Sequence, residues 1–151
     1  MKTIIDYPSV TEELEIMNRI EKDVFTQSRS VVSLGDIKYV QNLVKRVYLD
    51  QSIKDYIVRI IDATRHADKF ISKDLAQYIT LGSSIRGSIC LMEISKAVAL
   101  LSGRDYVTPD DVKAMRHEVM RHRIMLNFAA IADGIKEEAI VDAIVGAIVT
   151  P

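Results

Sequence analysis

The sequence predicts an all-α fold, a bundle of five to seven helices that follows a short extended segment. Apolar residues recur at three- and four-residue spacing along most of the chain, which is the period of an amphipathic helix. Residues that start and stop helices flank these stretches. The composition is 48% apolar and 27% charged over 151 residues, and no Pro-, Gly- or Ser-rich linker interrupts it. We therefore expect a single helical domain.

The N-terminal residues predict an extended segment and then the first helix. Residues 3–8 combine β-branched side chains with a proline, which moves the preceding residue away from the helical region. Ser9 and Glu12 have the spacing of a capping box, so a helix is predicted over residues 10–26. Its apolar stripe consists of Leu14, Met17, Ile20 and Val24.

Two further helices are predicted to form an antiparallel hairpin, because only about three residues separate them. Asp36 can cap the first, which ends near Leu49, and Ser52 starts the second, which ends around Thr64. The apolar positions are Val40, Leu43, Val44 and Val47 in the first helix, and Ile53, Tyr56, Ile57, Ile60 and Ile61 in the second.

Residues 67–81 leave two interpretations open. Leu75, Tyr78 and Ile79 fit one or two helical turns, whereas Ile71, Leu75 and Leu81 could line a loop packed on the core. From Ser84 a thick apolar helical pattern begins, and Ser102-Gly103 supplies its stop.

Two more helices complete the predicted bundle. Thr108-Pro109-Asp110-Asp111 combines a hydroxyl N-cap, a proline at the first helical position and two acids at the positive end of the helix dipole. This helix is expected to end near Arg121. After a mixed segment, an Ala-Ile-Val triplet recurs every four residues over 139–149 and predicts a packed terminal helix.

Charge and composition exclude several classes of protein. Twenty basic and twenty-one acidic residues give a net charge of −1, so no overall field holds the chain on nucleic acid or on an acidic membrane. The chain contains no membrane span of about 20 apolar residues, and residues 1–6 lack the apolar core of a secretory signal. A cytoplasmic location is expected. The single cysteine, Cys90, is predicted to pack within a helix.

Arg86 is the first candidate functional residue. The run Gly82-Ser83-Ser84-Ile85-Arg86-Gly87-Ser88 places it in the first turn of a helix. A helix start has free N–H groups and a partial positive charge, so an arginine there favours a nearby anion. We therefore interpret Arg86 as a phosphate sensor. The alternatives are a plain surface arginine or one that pairs with Glu93 or Glu118.

Two other motifs fail, one on residue type and one on spacing. Gly82 and Gly87 are separated as in a P-loop, but Ser88-Ile89 follows where that motif needs Lys and then Ser or Thr. The chain alone is therefore not expected to hydrolyse a nucleotide. His117 and His122 are five residues apart and point about 140° away from each other on a helix, so no metal site is predicted.

A basic patch near the predicted end of a helix has three open interpretations. Its members are Arg116, Arg121, His122 and Arg123, together with His117. Such residues favour the negative end of a helix dipole without any ligand. A contact with another subunit or a partner, and a contact with nucleic acid, are the alternatives. The absence of interleaved aromatic residues argues against single-strand binding.

Several segments, taken together and in order, resemble the C-terminal helical lid of MoxR-family AAA+ ATPases. Residues 5–13 resemble the join between the last strand of the ATPase core and the lid, and residues 56–65, ending in Ala-Thr-Arg, resemble a lid segment. The remaining matches are Gly82-Ser83-Ser84-Ile85-Arg86-Gly87, residues 103–114 and Arg121-His122-Arg123. The resemblance covers nearly the whole chain.

The resemblance implies that residues 1–8 end an AAA+ core and that residues 9–151 form the lid of a longer protein. The family's usual run is Gly-Ala-Ser-Pro-Arg, and its arginine is the sensor 2 residue that reaches the γ-phosphate of ATP. Arg86 matches that arginine, with Gly82, Ser83 and Ser84 shaping the helix start. Ile85 departs from the usual proline, and residues 67–81 differ from the usual connection.

The resemblance also implies cofactors and partners for the longer protein. These are ATP, Mg²⁺ held by the core, a ring homo-oligomer of hexameric type and von Willebrand factor A domain proteins, in a chaperone-like role that remodels or matures protein complexes. A different class fits one segment: residues 106–112 also resemble the end of a histone fold. With the Arg116 to Arg123 patch, that segment would belong to an independent helical module that binds DNA or protein.

Overall fold

The computed structural model describes residues 1–24 and 28–151, which form a helical fold with one small two-stranded sheet. The strands are β1 (Ile79–Leu81) and β2 (Met125–Leu126), and a 3-10 turn covers Ala67–Lys69. The helices in the described ranges are α1 (Val10–Glu21), α2 (Leu34–Arg46), α3 (Gln51–Arg65), α4 (Lys73–Ala76), α5 (Ile85–Leu101), α6 (Pro109–Ala114), α7 (Arg116–Met120), α8 (Phe128–Ala132) and α9 (Glu137–Ala147).

The prediction of an all-α class is confirmed. The long helices α1, α2, α3, α5 and α9 correspond to predicted helices, and α6 with α7 occupies the stretch predicted as one helix. That stretch divides at Met115, whose φ of −109° and ψ of 13° lie outside the helical range. The short helices α4 and α8 have four and five residues.

The core lies around α3 and α5. α3 packs against α5, α6 and α9, and α5 also contacts α2 and α7. The apolar face predicted for α3 is buried, and so are the Ile and Val residues of the first two Ala-Ile-Val triplets of the terminal helix, each at most 7% exposed, whereas Val149 of the third triplet is 72% exposed. The buried residues are Ile53, Tyr56, Ile57, Ile60 and Ile61 in α3, and Ile140, Val141, Ile144 and Val145 in α9.

The helix starts are set by local side-chain caps. The capping box predicted at Ser9 is present, and Thr108 is the N-cap of α6, as predicted, where it forms a capping box with Asp111. The other two caps differ from the prediction by a few residues: Ser33 is the N-cap of α2 and bonds with Asp36, and Asp50 is the N-cap of α3 and accepts from the Ser52 N–H. Asp36 and Ser52 therefore take part in the caps without being the cap residue.

The N-terminal part of the chain is exposed. Residues 1–9 form neither helix nor strand, and the Lys2 N–H donates to the Glu118 carbonyl at 2.8 Å. α1 ends at Glu21, before its predicted end, and Asp23 has a left-handed φ of 50°. The last predicted positions of that helix, 25 and 26, lie outside the described residues. The predicted stripe of α1 is on its surface, because α1 contains no buried residue.

The region 67–81 is neither of the two predicted alternatives alone. It contains the 3-10 turn, α4 and then β1, which pairs antiparallel with β2 through Ile79 opposite Leu126 and Leu81 opposite Met125. The two paired strands are more than forty residues apart in the sequence, and neither strand was predicted.

An ion pair joins the end of α5 to the start of α6. Gly103, with φ of 75°, ends α5 as predicted, and Arg104 follows. The Arg104 guanidinium donates to both carboxylate oxygens of Asp111 at 2.8 and 2.6 Å, and Asp111 is only 3% exposed. Asp111 also accepts from the backbone and hydroxyl of Thr108.

Within the described ranges, no helix has both the length and the apolar character needed to cross a membrane.

Candidate functional site

A buried hydrogen bond fixes the start of α5 to the end of α3. The Ser83 N–H donates to the Thr64 hydroxyl at 2.8 Å, and that hydroxyl donates to the Ile61 carbonyl at 2.7 Å. Thr64 is 1% exposed and Ser83 is fully buried. Because an unmade polar bond inside a protein is costly, this pair holds the two helix ends at one relative position. We call this pair the Thr64–Ser83 clamp.

Two glycines allow the chain to come this close. A Cβ on Gly82 would lie 2.5 Å from the Thr64 carbonyl oxygen, and a Cβ on Gly87 would lie 2.3 Å from Ser83 Oγ. The Gly87 position is also 2.9 Å from Ile61 Cδ1. Both distances are well below van der Waals contact, so glycine is required for packing at both positions. Gly82 and Ser83 therefore dock the start of α5 on α3. The part that Gly82, Ser83 and Ser84 play in a nucleotide site stays a prediction.

The first turn of α5 carries no side-chain cap. Ser84 is the N-cap, with an extended φ of −81° and ψ of 174°, and its side chain makes no capping hydrogen bond. The helix begins at Ile85. α5 also has no acid in its first turn, whereas α1, α6 and α9 each have two. This helix start therefore keeps its partial positive charge uncompensated by its own residues.

Arg86 is the second residue of α5 and its side chain is exposed. Among the described residues no carboxylate lies within ion-pair distance of it, and neither Glu93 nor Glu118 is its partner. Glu118 lies 3.6 Å from Arg121 instead. The exposed guanidinium and the uncapped first turn of α5 are thus two positive groups at the same helix start. This arrangement suits an anionic group such as a phosphate.

The basic patch lies mainly against α9. Arg116 Nε and His117 Nε2 both contact Asp142 Oδ1, at 2.6 and 2.8 Å, and Arg121 Nε lies 3.0 Å from Glu138 Oε1. The pKa of Asp142 falls below its usual range because the hydrogen bonds from Arg116 and His117 together outweigh burial, which acts in the opposite direction. These ion pairs therefore join α7 to α9.

The helix break at Met115 changes where the patch lies. Arg116 is the first residue of α7, not part of the C-terminal end of one long helix, and its Nη1 donates to the Lys113 carbonyl at the end of α6. His122 is exposed, and burial together with the positive charges of Arg123, the N-terminus, Lys2 and Arg121 lowers its pKa. A role of Arg116, Arg121, His122 and Arg123 in a subunit or partner contact stays a prediction.

In the described part of the chain, no group of three or more His, Cys, Asp or Glu residues has the geometry to hold a metal ion. His117 contacts Asp142, and the structure does not bring it together with His122 in any such group.

The Thr64–Ser83 clamp was not predicted from the sequence. A signal was available, because Thr64 lies four residues after Ile60 and seven after Ile57, on the apolar face of α3. A hydroxyl at a buried position needs a partner, but the sequence does not show that the partner is the Ser83 N–H nineteen residues away. The clamp joins the Ala-Thr-Arg segment to the run that contains Arg86.

Comparison with known proteins agrees with the fold. Residues 71–144 match the family model of the AAA lid domain. This region of the chain is therefore similar to an AAA lid domain. The match includes α5 with Arg86 and extends into α9. The resemblance to the MoxR-type AAA+ lid, based on short motifs, is thus confirmed.

Relatives align with nearly all of the lid and flanking residues. The chain is 31% identical to the chaperone MoxR1 of Mycobacterium tuberculosis over 150 residues, which are 99% of this chain and 40% of that protein. It is 38% identical to the uncharacterized protein YeaC of Bacillus subtilis over 151 residues, again 99% of this chain and 44% of the relative. The crystal structure of a protein described as a "putative ATPase" from Cytophaga hutchinsonii superposes with a TM-score of 0.85 at 32% identity, covering 97% of this chain and 45% of that one. The chain spans less than half the length of these relatives.

Proposed function

We propose that this AAA lid closes over ATP bound to the core of a longer MoxR-like ATPase and that Arg86 is its sensor 2 residue. The proposal rests on the position of Arg86, which is exposed, has no acidic partner among the described residues and lies at an uncapped helix start. The Thr64–Ser83 clamp supports the proposal, because it fixes the direction from which Arg86 approaches a ligand. Charge-assisted hydrogen bonds of this kind are strong and depend on geometry.

The division of roles between lid and core follows from the residues present. The described residues offer a phosphate contact at Arg86 but no cluster of acids for Mg²⁺, and the Gly82 to Ile89 run has no P-loop lysine. We therefore assign ATP to the interface between lid and core and Mg²⁺ to the core. In this proposal residues 1–8 lead out of the core and residues 9–151 form the lid.

The proposed cellular role is chaperone-like. ATP-dependent closure of the lid, as a rigid body, would drive rearrangement within a ring homo-oligomer, of hexameric type, that remodels or matures protein complexes. Von Willebrand factor A domain proteins are the proposed partners, on the basis of the MoxR resemblance. The alternative of a DNA-binding module is less favoured, because Arg116 and Arg121 already have acidic partners on α9.

The experiment is Arg86→Ala in the full-length protein. Loss of a charge-assisted contact is expected to cost about 1.5–3 kcal/mol, which lowers ATP turnover roughly 10- to 100-fold. Arg59→Ala is the matched control, because Arg59 is an exposed arginine on α3 with no ion pair among the described residues. Turnover is measured by phosphate release, and assembly by sedimentation with and without ATP. Wild-type turnover together with wild-type ATP-dependent assembly in Arg86→Ala would exclude the sensor role.

A further inference from the structure

α1 presents an apolar stripe that nothing in the described chain covers. Val10, Leu14, Met17 and Ile20 share one side of the helix and are 85%, 60%, 63% and 58% exposed. No residue of α1 is buried. A continuous apolar stripe of this kind on a helix is typical of a contact surface.

A groove between α2 and α5 is also open. It has a volume of about 740 Å³, with Val44, Met92 and Ala97 contributing apolar surface, and Lys38, Lys45 and Lys96 contributing charge. The apolar surface continues along α2, because Val40 and Ile37 precede Val44 by four and seven residues and are 40% and 45% exposed. The groove and this stripe together form a second uncovered apolar surface, which we call the α2–α5 groove.

The α1 stripe is long enough to cover the apolar part of the groove. Val10 to Ile20 spans about 15 Å along α1, and Ile37 to Val44 spans about 10 Å along α2, at 1.5 Å per residue. Binding of an amphipathic helix in an apolar groove between two other helices is a common mode of recognition.

The charges match as well. Glu13 and Glu21 lie four residues before and after Met17, on the side of α1 that carries the apolar stripe. They are about 12 Å apart along the helix, and Lys38 and Lys45 of the groove are about 10 Å apart. α1 has four glutamates and one arginine, whereas the groove has three lysines and one glutamate. Opposite charges at matched spacing favour this pairing over others.

We propose that α1 of one copy of this chain docks in the α2–α5 groove of a second copy. The α1 of the same chain has no buried residue, so it is not the helix that covers its own groove in this structure. Because the two chains are identical, the same pair of surfaces can form the contact in both directions. This contact uses α1 and α2 and does not depend on Arg86 or on a nucleotide.

The first experiment is a charge exchange between two versions of the 151-residue chain. One version carries Glu13→Lys and Glu21→Lys, and the other carries Lys38→Glu and Lys45→Glu. Each version alone places like charges at the contact and should associate at least about 10-fold more weakly than the wild type. An equimolar mixture places opposite charges at both contacts, so association should return. The readout is sedimentation equilibrium without nucleotide.

The second experiment identifies the chain that supplies the helix. Cys90→Ser removes the native thiol, and one chain then carries Met17→Cys while the other carries Met92→Cys. A disulfide between them can form only between two chains, and it is expected in the mixture under mild oxidation. A chain that carries both cysteines should likewise give mainly linked dimers.

Leu14→Asp and Val58→Asp complete the design. Both positions are exposed apolar residues, at 60% and 54%, but only Leu14 belongs to the α1 stripe. Leu14→Asp should weaken association by at least about 10-fold and Val58→Asp should leave it unchanged. A monomeric wild type at all concentrations, or a disulfide that forms only within the chain carrying both cysteines, overturns the proposal.

Discussion

At the scale of single residues, Gly82 and Gly87 matter because neither has a β-carbon. Each lies where a β-carbon would come within 2.5 Å of another atom, the Thr64 carbonyl oxygen for Gly82 and Ser83 Oγ for Gly87. Their spacing resembles that of a phosphate-binding loop, but the structure assigns them to packing of α5 on α3. We propose Arg86 as the residue that contacts an anion, and the glycines set where that residue lies.

Gly87→Ala is expected to lower the free energy of unfolding by about 1–3 kcal/mol, because the added methyl group overpacks a closed site. Gly146→Ala is the matched control. A Cβ at Gly146, in α9, meets no atom within 4 Å, so this change should raise stability by about 0.5–1 kcal/mol through the higher helix propensity of alanine. Urea unfolding measures both. Equal stability of the two variants would contradict the packing argument.

At the scale of elements, the Arg104–Asp111 ion pair joins the end of α5 to the start of α6. Burial alone would raise the pKa of Asp111, but the hydrogen bonds from Arg104 and Thr108 outweigh it, and the pKa falls below its usual range. The unfolded chain then takes up a proton at a higher pH than the folded chain does. The stability from Asp111 is therefore complete above about pH 5 and is lost as the pH falls through the folded-state pKa.

Asp111→Asn is expected to reduce the free energy of unfolding by about 2–3 kcal/mol at pH 7, because hydrogen bonds to a charged group are weakened. Its loss of stability between pH 5 and about pH 3 should be shallower than that of the wild type. The remaining slope comes from other acids, such as Asp142 and Asp50, whose pKa values are also lowered, that of Asp50 to about 2. Urea unfolding across this pH range provides the measurement. Parallel pH profiles of the two proteins would contradict the role of Asp111.

The elements that the sequence predicts well are those set by neighbouring residues. The capping box at Ser9, the N-cap at Thr108 and the Gly103 stop each depend on residues a few positions apart, and all three are present. The break at Met115 was missed because no proline or glycine marks it. Pairing of β1 with β2 was missed because it joins distant segments, and short strands have weak sequence patterns.

The candidate site was predictable in part for the same reason. The position of Arg86 in a first helical turn follows from local sequence, and the structure places it in the first turn of α5. Its isolation from Glu93 and Glu118 and the clamp beneath it depend on how α3, α5 and α7 pack. Those contacts are tertiary, so periodicity and spacing do not reveal them.

At the scale of the whole molecule, our proposal divides the functional groups between this lid and an ATPase core. The proposed phosphate contact is Arg86, the described residues contain no group of three or more potential metal ligands, and the sequence has no P-loop lysine after Gly87. We therefore expect the 151-residue chain to show no ATP turnover above a buffer blank, while the full-length protein turns ATP over. The assay is phosphate release at matched concentrations. Turnover by the short chain that is lost in its Arg86→Ala variant would contradict this division.

The Thr64–Ser83 clamp has a consequence for how this lid can vary between relatives. Residues 65–82 leave α3 and return to the same point, so both ends of this excursion are held by one hydrogen bond and by the Gly82 contact. The entropy of closing such a loop grows only with the logarithm of its length, about 0.6 kcal/mol for each doubling. Insertions at exposed positions of the excursion, outside β1 and the residues that pack on the core, therefore cost little stability and leave the direction of Arg86 the same.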